Sequence, residues 1–172
     1  TPYNLLNYGG VQHQINLMND YINKNSEIHS KIAAPNSKDY DLGSAINIPF
    51  NNSVASISLF PDRKKLLKAI EWSDVIHIHE PFIPIFFWKL PKNKKYIFTH
   101  HANLNKFYTF FMTIIYKIIK IKGVSVYVSD SALSNAKSLN NQPILIPNMI
   151  KINKNMEYNN KKKLLFIGRN EK

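Results

Sequence analysis

The chain has 172 residues, 44% of them hydrophobic, and a formal net charge of +12 with a pI near 9.8. That length predicts one domain, or one domain and a piece of another. The chain holds no cysteine, which excludes disulfides and thiolate metal sites.

The cations are lysines except for Arg63 and Arg169, and asparagine is abundant. The charge therefore fits either an anionic partner or a compositional bias with no function in it. No secretory signal opens the sequence. The apolar stretch 107–116 falls far short of the ~20 residues that cross a bilayer. The expectation is a cytoplasmic protein, at most peripheral on a membrane.

Thr1-Pro2-Tyr3 leads directly into a loop and Gly9-Gly10. An α/β domain normally places a strand before such a loop, so the chain reads as a fragment cut at both ends. A helix is predicted over 11–23. Residues 45–49 and 54–60 are strand candidates, followed by a helix over 63–72. Strands over 75–78, 96–99, 124–128 and 144–146 alternate with helices over 106–122 and 131–139. These strands are near-continuous apolar runs, as expected where a parallel sheet is buried on both faces. Residues 151–163 read as a linker, and 164–167 as a strand that begins something new. Alternating β and α elements predict a doubly wound, Rossmann-like α/β fold.

Chemistry-bearing residues concentrate where strands end. In Asp74-Val75-Ile76-His77-Ile78-His79-Glu80-Pro81 an apolar run turns polar and is stopped by proline. In open α/β sheets ligands bind outside the carboxyl ends of the strands. The His77/His79 pair has the spacing of a strand-borne metal site, or of one core and one rim histidine. His100-His101 follows the next strand, where an imidazole can bond a sugar hydroxyl or move a proton. Gly9-Gly10-Val11-Gln12 opens a helix whose free N–H groups favour phosphate, or forms an ordinary turn. Arg63, Lys64, Lys65 and Lys68 form a cationic helix face near Trp72, suited to an acidic lipid interface or simply to water. Arg169 follows the last strand and suits bidentate phosphate binding.

Together these pieces resemble glycosyltransferase family 4 of the GT-B fold, and phosphatidylinositol mannosyltransferases most closely. The resemblance rests on Pro2-Tyr3, on Gly9-Gly10-Val11-Gln12, and on the stretch from Ile48 to Ala55. It continues through Asp74 to Pro81, Thr99-His100-His101, Val128-Ser129-Asp130, Ile146-Pro147-Asn148 and Phe166-Ile167-Gly168-Arg169. It implies two Rossmann-like domains facing each other across a cleft. Residues 1–150 would be the N-terminal acceptor domain, and 151–172 the linker and first strand of the donor domain. The family's first strand would precede Thr1. The donor-site lysine and the E-x7-E motif would follow Lys172, so this piece alone would be inactive.

By the same resemblance, Gly9 and Gly10 would face the donor phosphates and Arg169 would pair with the pyrophosphate. His101 would sit beside the transferred sugar. Tyr3, Gln12, Asn51, Ser53 and Lys106 would contact the acceptor, and the 63–68 helix would dock on a membrane. The implied activity is retaining, metal-independent transfer of a hexose, with a nucleotide sugar (GDP-mannose or a UDP-hexose) as co-substrate and no cofactor. The acceptor would be a lipid or a glycan. Ala102 stands where the family often has threonine, and Ser56 where an arginine helps hold the inositol phosphate. Another lipid or a soluble sugar therefore stays open.

Two alternatives stand beside this reading. One is a metal-dependent hydrolase using His77 and His79. The other is a non-catalytic basic module that binds nucleic acid or anionic membrane through Arg63, Lys64, Lys65 and Lys68. Under the glycosyltransferase reading no nucleic acid is expected.

Overall fold

The computed structural model describes residues 1–50, 53–83 and 88–151. The helices are α1 (Gly10–Asn25), α2 (Arg63–Trp72), α3 (Lys106–Ile119) and α4 (Leu133–Leu139). Their starts follow from local chemistry. Asp62 Oδ1 accepts from the N–H groups of Lys64 and Lys65 at 2.9 and 3.1 Å and caps α2. Asn105 Oδ1 caps α3 through Phe107 and Tyr108. Lys120, left-handed at φ 57, ends α3, which stops short of the 122 expected from the apolar pattern. Residues 130–132 form a 3-10 turn before α4, so the predicted 131–139 helix is split.

Four parallel strands lie in chain order: β5 (Val75–His79), β6 (Lys95–His100), β7 (Val124–Tyr127) and β8 (Ile144–Leu145). The register pairs His79 with Thr99 and Thr99 with Val126. Parallel neighbours require crossovers. Helix α3 supplies the one between β6 and β7, and α4 the one between β7 and β8. This is the mixed α/β architecture the alternation predicts.

The candidates at 45–49 and 54–60 do not join that sheet. They form an antiparallel hairpin, β3 (Ile46–Phe50) with β4 (Ser53–Ile57). A third, two-residue pairing joins β1 (Ala33–Ala34) to β2 (Tyr40–Asp41). Burial on both faces also fails at one edge, because Ile144 and Leu145 are half exposed.

The main core packs Leu66 and Ile70 of α2, Ile78, Tyr96 and Phe98 of the sheet, and Met112 and Tyr116 of α3. A smaller cluster of Ala55, Ile57 and Ile83 lies under the hairpin and receives Tyr3. The predicted strand at 164–167 and nearly all of the 151–163 linker lie outside the described residues.

Candidate functional site

Strand β5 carries His77 and His79 on one face because side chains alternate along a strand. Their rings stack at 4.2 Å between centroids. His79 also stacks on His101 at 5.3 Å, and its Nδ1 lies 2.9 Å from His101 Nε2. The proton between those two nitrogens belongs to whichever ring has the matching tautomer. His77 Nε2 is 2.7 Å from Thr99 Oγ1 on the neighbouring strand. The three imidazoles thus form one column running from the sheet to its rim.

Glu80 ends β5 with a left-handed backbone at φ 56. Its side chain is fully buried. Oε1 accepts from the backbone N–H of His101 and, at 2.9 Å, from that of Ala102. Asn135 of α4 closes the loop from the other side, donating from Nδ2 to the Ala102 carbonyl at 2.7 Å. Its Oδ1 accepts from Thr109 of α3. The loop carrying His101 is therefore held by one carboxylate and one amide.

Burial governs the charge states. It pulls His101 down to about 4. It pulls His77 to about 4, with the Thr1 ammonium and then His101 adding, and His79 well below its ordinary range, with His77 and His101 adding. Burial raises Glu80 to about 7 against the opposing pull of the His101 and Ala102 amides. Tyr108 rises to about 12 through burial and then Glu80. Tyr3 is pushed far up, by burial first and then by Glu80 and Tyr108. The site at neutral pH is a column of uncharged imidazoles beside a carboxyl poised to hold or release a proton. Neutral imidazole can both accept and donate, which suits a hydroxyl-bearing ligand.

His100 faces the other way. It is buried edge-on against Phe82 at 5.2 Å, and among the described residues its Nε2 has no hydrogen-bond partner. The two adjacent histidines are thus divided between core and rim by strand alternation.

Gly9 precedes α1 with extended backbone, and a Cβ there would meet the Gln12 amide at 2.3 Å. A Cβ at Gly10 would meet nothing within 4 Å, which leaves open space at the helix start. Gln12 Nε2 donates to the Asn4 carbonyl at 3.4 Å. Gln14 exchanges two hydrogen bonds with the Met149 backbone, at 2.8 and 2.7 Å. Met149 lies in the loop after β8, so the first half of α1 sits toward the carboxyl ends of the strands. Tyr3 bridges Ile57 and lies beside Glu80. Lys106 opens α3 directly after the His101 loop and is exposed.

The other predicted residues are placed differently. Arg63 Nη1 donates to the Trp88 carbonyl at 2.5 Å, and Lys65 Nζ lies 3.6 Å from Asp41. Lys64 and Lys68 of that cationic face are exposed. Ser53 opens β4, opposite Phe50. Asn51 and Arg169 lie outside the described residues. The His77/His79 pair turns its mapped nitrogens to Thr99 and His101, and among the described residues no group of three metal-ligating side chains converges.

A cavity of about 420 Å³ lies between α1, α2, β5 and residues 28–33. Ile15, Met18, Ile22, Ile70 and Ile76 line it, and neither Gly10 nor His101 does. It is largely apolar, but His77 and His79 also line it, so it borders two of the three rings of the imidazole column.

The supporting roles of Glu80, Asn135 and Tyr108 are not legible from motif spacing, because each acts on a segment distant in the chain. A lone asparagine on a short helix among apolar neighbours was the available signal for Asn135. No family model, no curated protein and no solved structure matches the chain.

Proposed function

We propose that this chain is the acceptor-side domain of a retaining, metal-independent glycosyltransferase of family 4. The reaction is transfer of a hexose, mannose from GDP-mannose first among donors, to a phosphatidylinositol-like lipid or another glycan acceptor. The working location is the cytoplasmic face of a membrane. One observation carries the reading: a neutral His101 is held at the rim of a parallel sheet by Glu80 on its backbone and by His79 on its ring.

In this reading His101 lies beside the transferred sugar and bonds its hydroxyls. Gly9 and Gly10 offer backbone N–H groups at the start of α1 to the donor phosphates, and the open space at Gly10 supports that. Arg169 pairs with the pyrophosphate as it departs. The acceptor oxygen bonds to the anomeric carbon while the sugar–phosphate bond breaks, and the acceptor's proton goes to the leaving phosphate. Tyr3, Gln12, Asn51, Ser53 and Lys106 face the acceptor. Lys106 is the cation for an anionic head group.

The test uses the complete product of the gene, with GDP-mannose and then UDP-glucose, with and without phosphatidylinositol liposomes, in EDTA. Lipid-dependent transfer in EDTA supports the reading. Activity that appears only on restoring metal, without sugar transfer, overturns it in favour of hydrolysis. His101→Ala should lower turnover by at least ~100-fold with the fold intact. Unchanged turnover removes His101 from the site.

A further inference from the structure

Helix α3 is apolar on two faces. Met112 and Tyr116 are buried, and Tyr108, Ile115 and Ile119 pack against the core. Yet Phe107, Phe110, Phe111, Ile114 and Ile118 are exposed by 80, 65, 53, 40 and 70%. At about 100° per residue these five fall within one arc of roughly 100°, turned away from the core. A helix that is apolar all round is buried in something, and a stripe of large apolar side chains marks a contact surface.

The surrounding charge identifies what covers it. Lys106 and Lys117 border the stripe, and Lys120 and Lys122 follow the end of the helix; all are exposed. No Asp or Glu occurs anywhere between Glu80 and Asp130. A second copy would bring this lysine border against its like in a chain of net charge +12. An anionic lipid surface accepts both features at once, the phenyl rings entering the acyl boundary and the ammonium groups the phosphates.

We propose that the exposed face of α3 inserts into the interface of an anionic membrane, with Phe107, Phe110 and Phe111 as its leading anchors. This differs from docking through α2, whose Arg63 and Lys65 already have partners within the chain. It deepens the membrane part of the reading above. Its test needs no donor sugar, so either can fail alone.

The experiment is sedimentation of the full chain with vesicles of phosphatidylcholine and phosphatidylglycerol (about 7:3), and with phosphatidylcholine alone. The expected result is at least ~10-fold stronger partitioning into the anionic vesicles. The triple variant F107S/F110S/F111S should lose at least ~10-fold of that binding, with an unchanged circular dichroism spectrum. K64E/K68E on α2 should keep most of it. Equal binding by the triple variant and the parent overturns the proposal. So does loss confined to the α2 variant. A dimer in the absence of vesicles that the triple variant dissolves would assign the stripe to a second copy instead.

Discussion

Glu80 and His101, at the ends of adjacent parallel strands, are joined by a hydrogen bond from the His101 backbone N–H to the Glu80 carboxylate. The ring that would meet a ligand and the carboxyl that positions it thus share one rim. Glu80 holds a left-handed backbone, φ 56, which a non-glycine residue adopts at some cost. The two amides it accepts from offset that cost.

Replacing Glu80 tests this directly. Glu80→Ala leaves the His101 and Ala102 N–H groups without their acceptor and should destabilise by about 2–4 kcal/mol. At roughly 2–4 °C per kcal/mol for a chain of this size, the midpoint should fall by roughly 4–16 °C. Glu80→Gln keeps an oxygen in place and should cost under about 1 kcal/mol. Thermal denaturation of the three proteins decides. Equal losses for both variants would mean the bond to His101 contributes little.

Acid should unfold the protein through its buried histidines. Burial lowers His100 to about 3, His77 and His101 to about 4, and His79 well below its usual range. Between the ordinary histidine value near 6.5 and those folded values, the unfolded chain binds more protons. Stability is therefore full above about pH 6.5 and falls as pH drops toward 4. Glu80, raised to about 7, acts in the opposite sense. Its contribution is present below its ordinary value near 4.5 and is lost as pH rises through 7. Four imidazoles outweigh one carboxyl, so the urea midpoint should drop from pH 7 to pH 5. His100→Leu removes one of the four, and should recover about 2 kcal/mol more at pH 5 than at pH 7.

Lys106 sits in the first turn of α3, where a cation opposes the helix dipole and no acidic residue offsets it. Lys106→Glu should therefore raise stability slightly, by about 0.5–1 kcal/mol. The same change should weaken an anionic acceptor while leaving the KM for the nucleotide sugar unchanged. A fall in stability, or equal effects on donor and acceptor, would contradict the placement of this lysine.

Gly123 marks a close approach between the end of the α3 connection and β6. A Cβ there would lie 2.5 Å from the Tyr96 carbonyl oxygen and 2.8 Å from the Phe98 ring. Backbone and a buried ring have little room to give, so Gly123→Ala should cost about 1–3 kcal/mol, read as a lowered urea midpoint. Gly10→Ala, where a Cβ meets nothing, should leave stability nearly unchanged.

Local sequence pattern was enough to locate the four parallel strands, to within a residue or two at each end. The bounds of α2 and the placing of His79 and His101 at strand ends were legible in the same way, whereas His77 lies in the middle of β5. Those features are local: apolar runs of strand length, an Asp62 cap, a proline stop at Pro81. That 46–50 and 53–57 pair as a hairpin emerges only from the folded chain, because pairing partners are not written in either run. Only the folded chain divided His100 from His101, stacked three imidazoles across two strands, and turned Glu80 into the support of a neighbouring loop. Only it left the phenylalanines of α3 outside, since a helix apolar all round does not itself say which face the core takes. The reason is common to all of these. Strand, cap and stop are settled by nearest neighbours in the chain, whereas burial, stacking and charge state depend on groups brought together from distant positions.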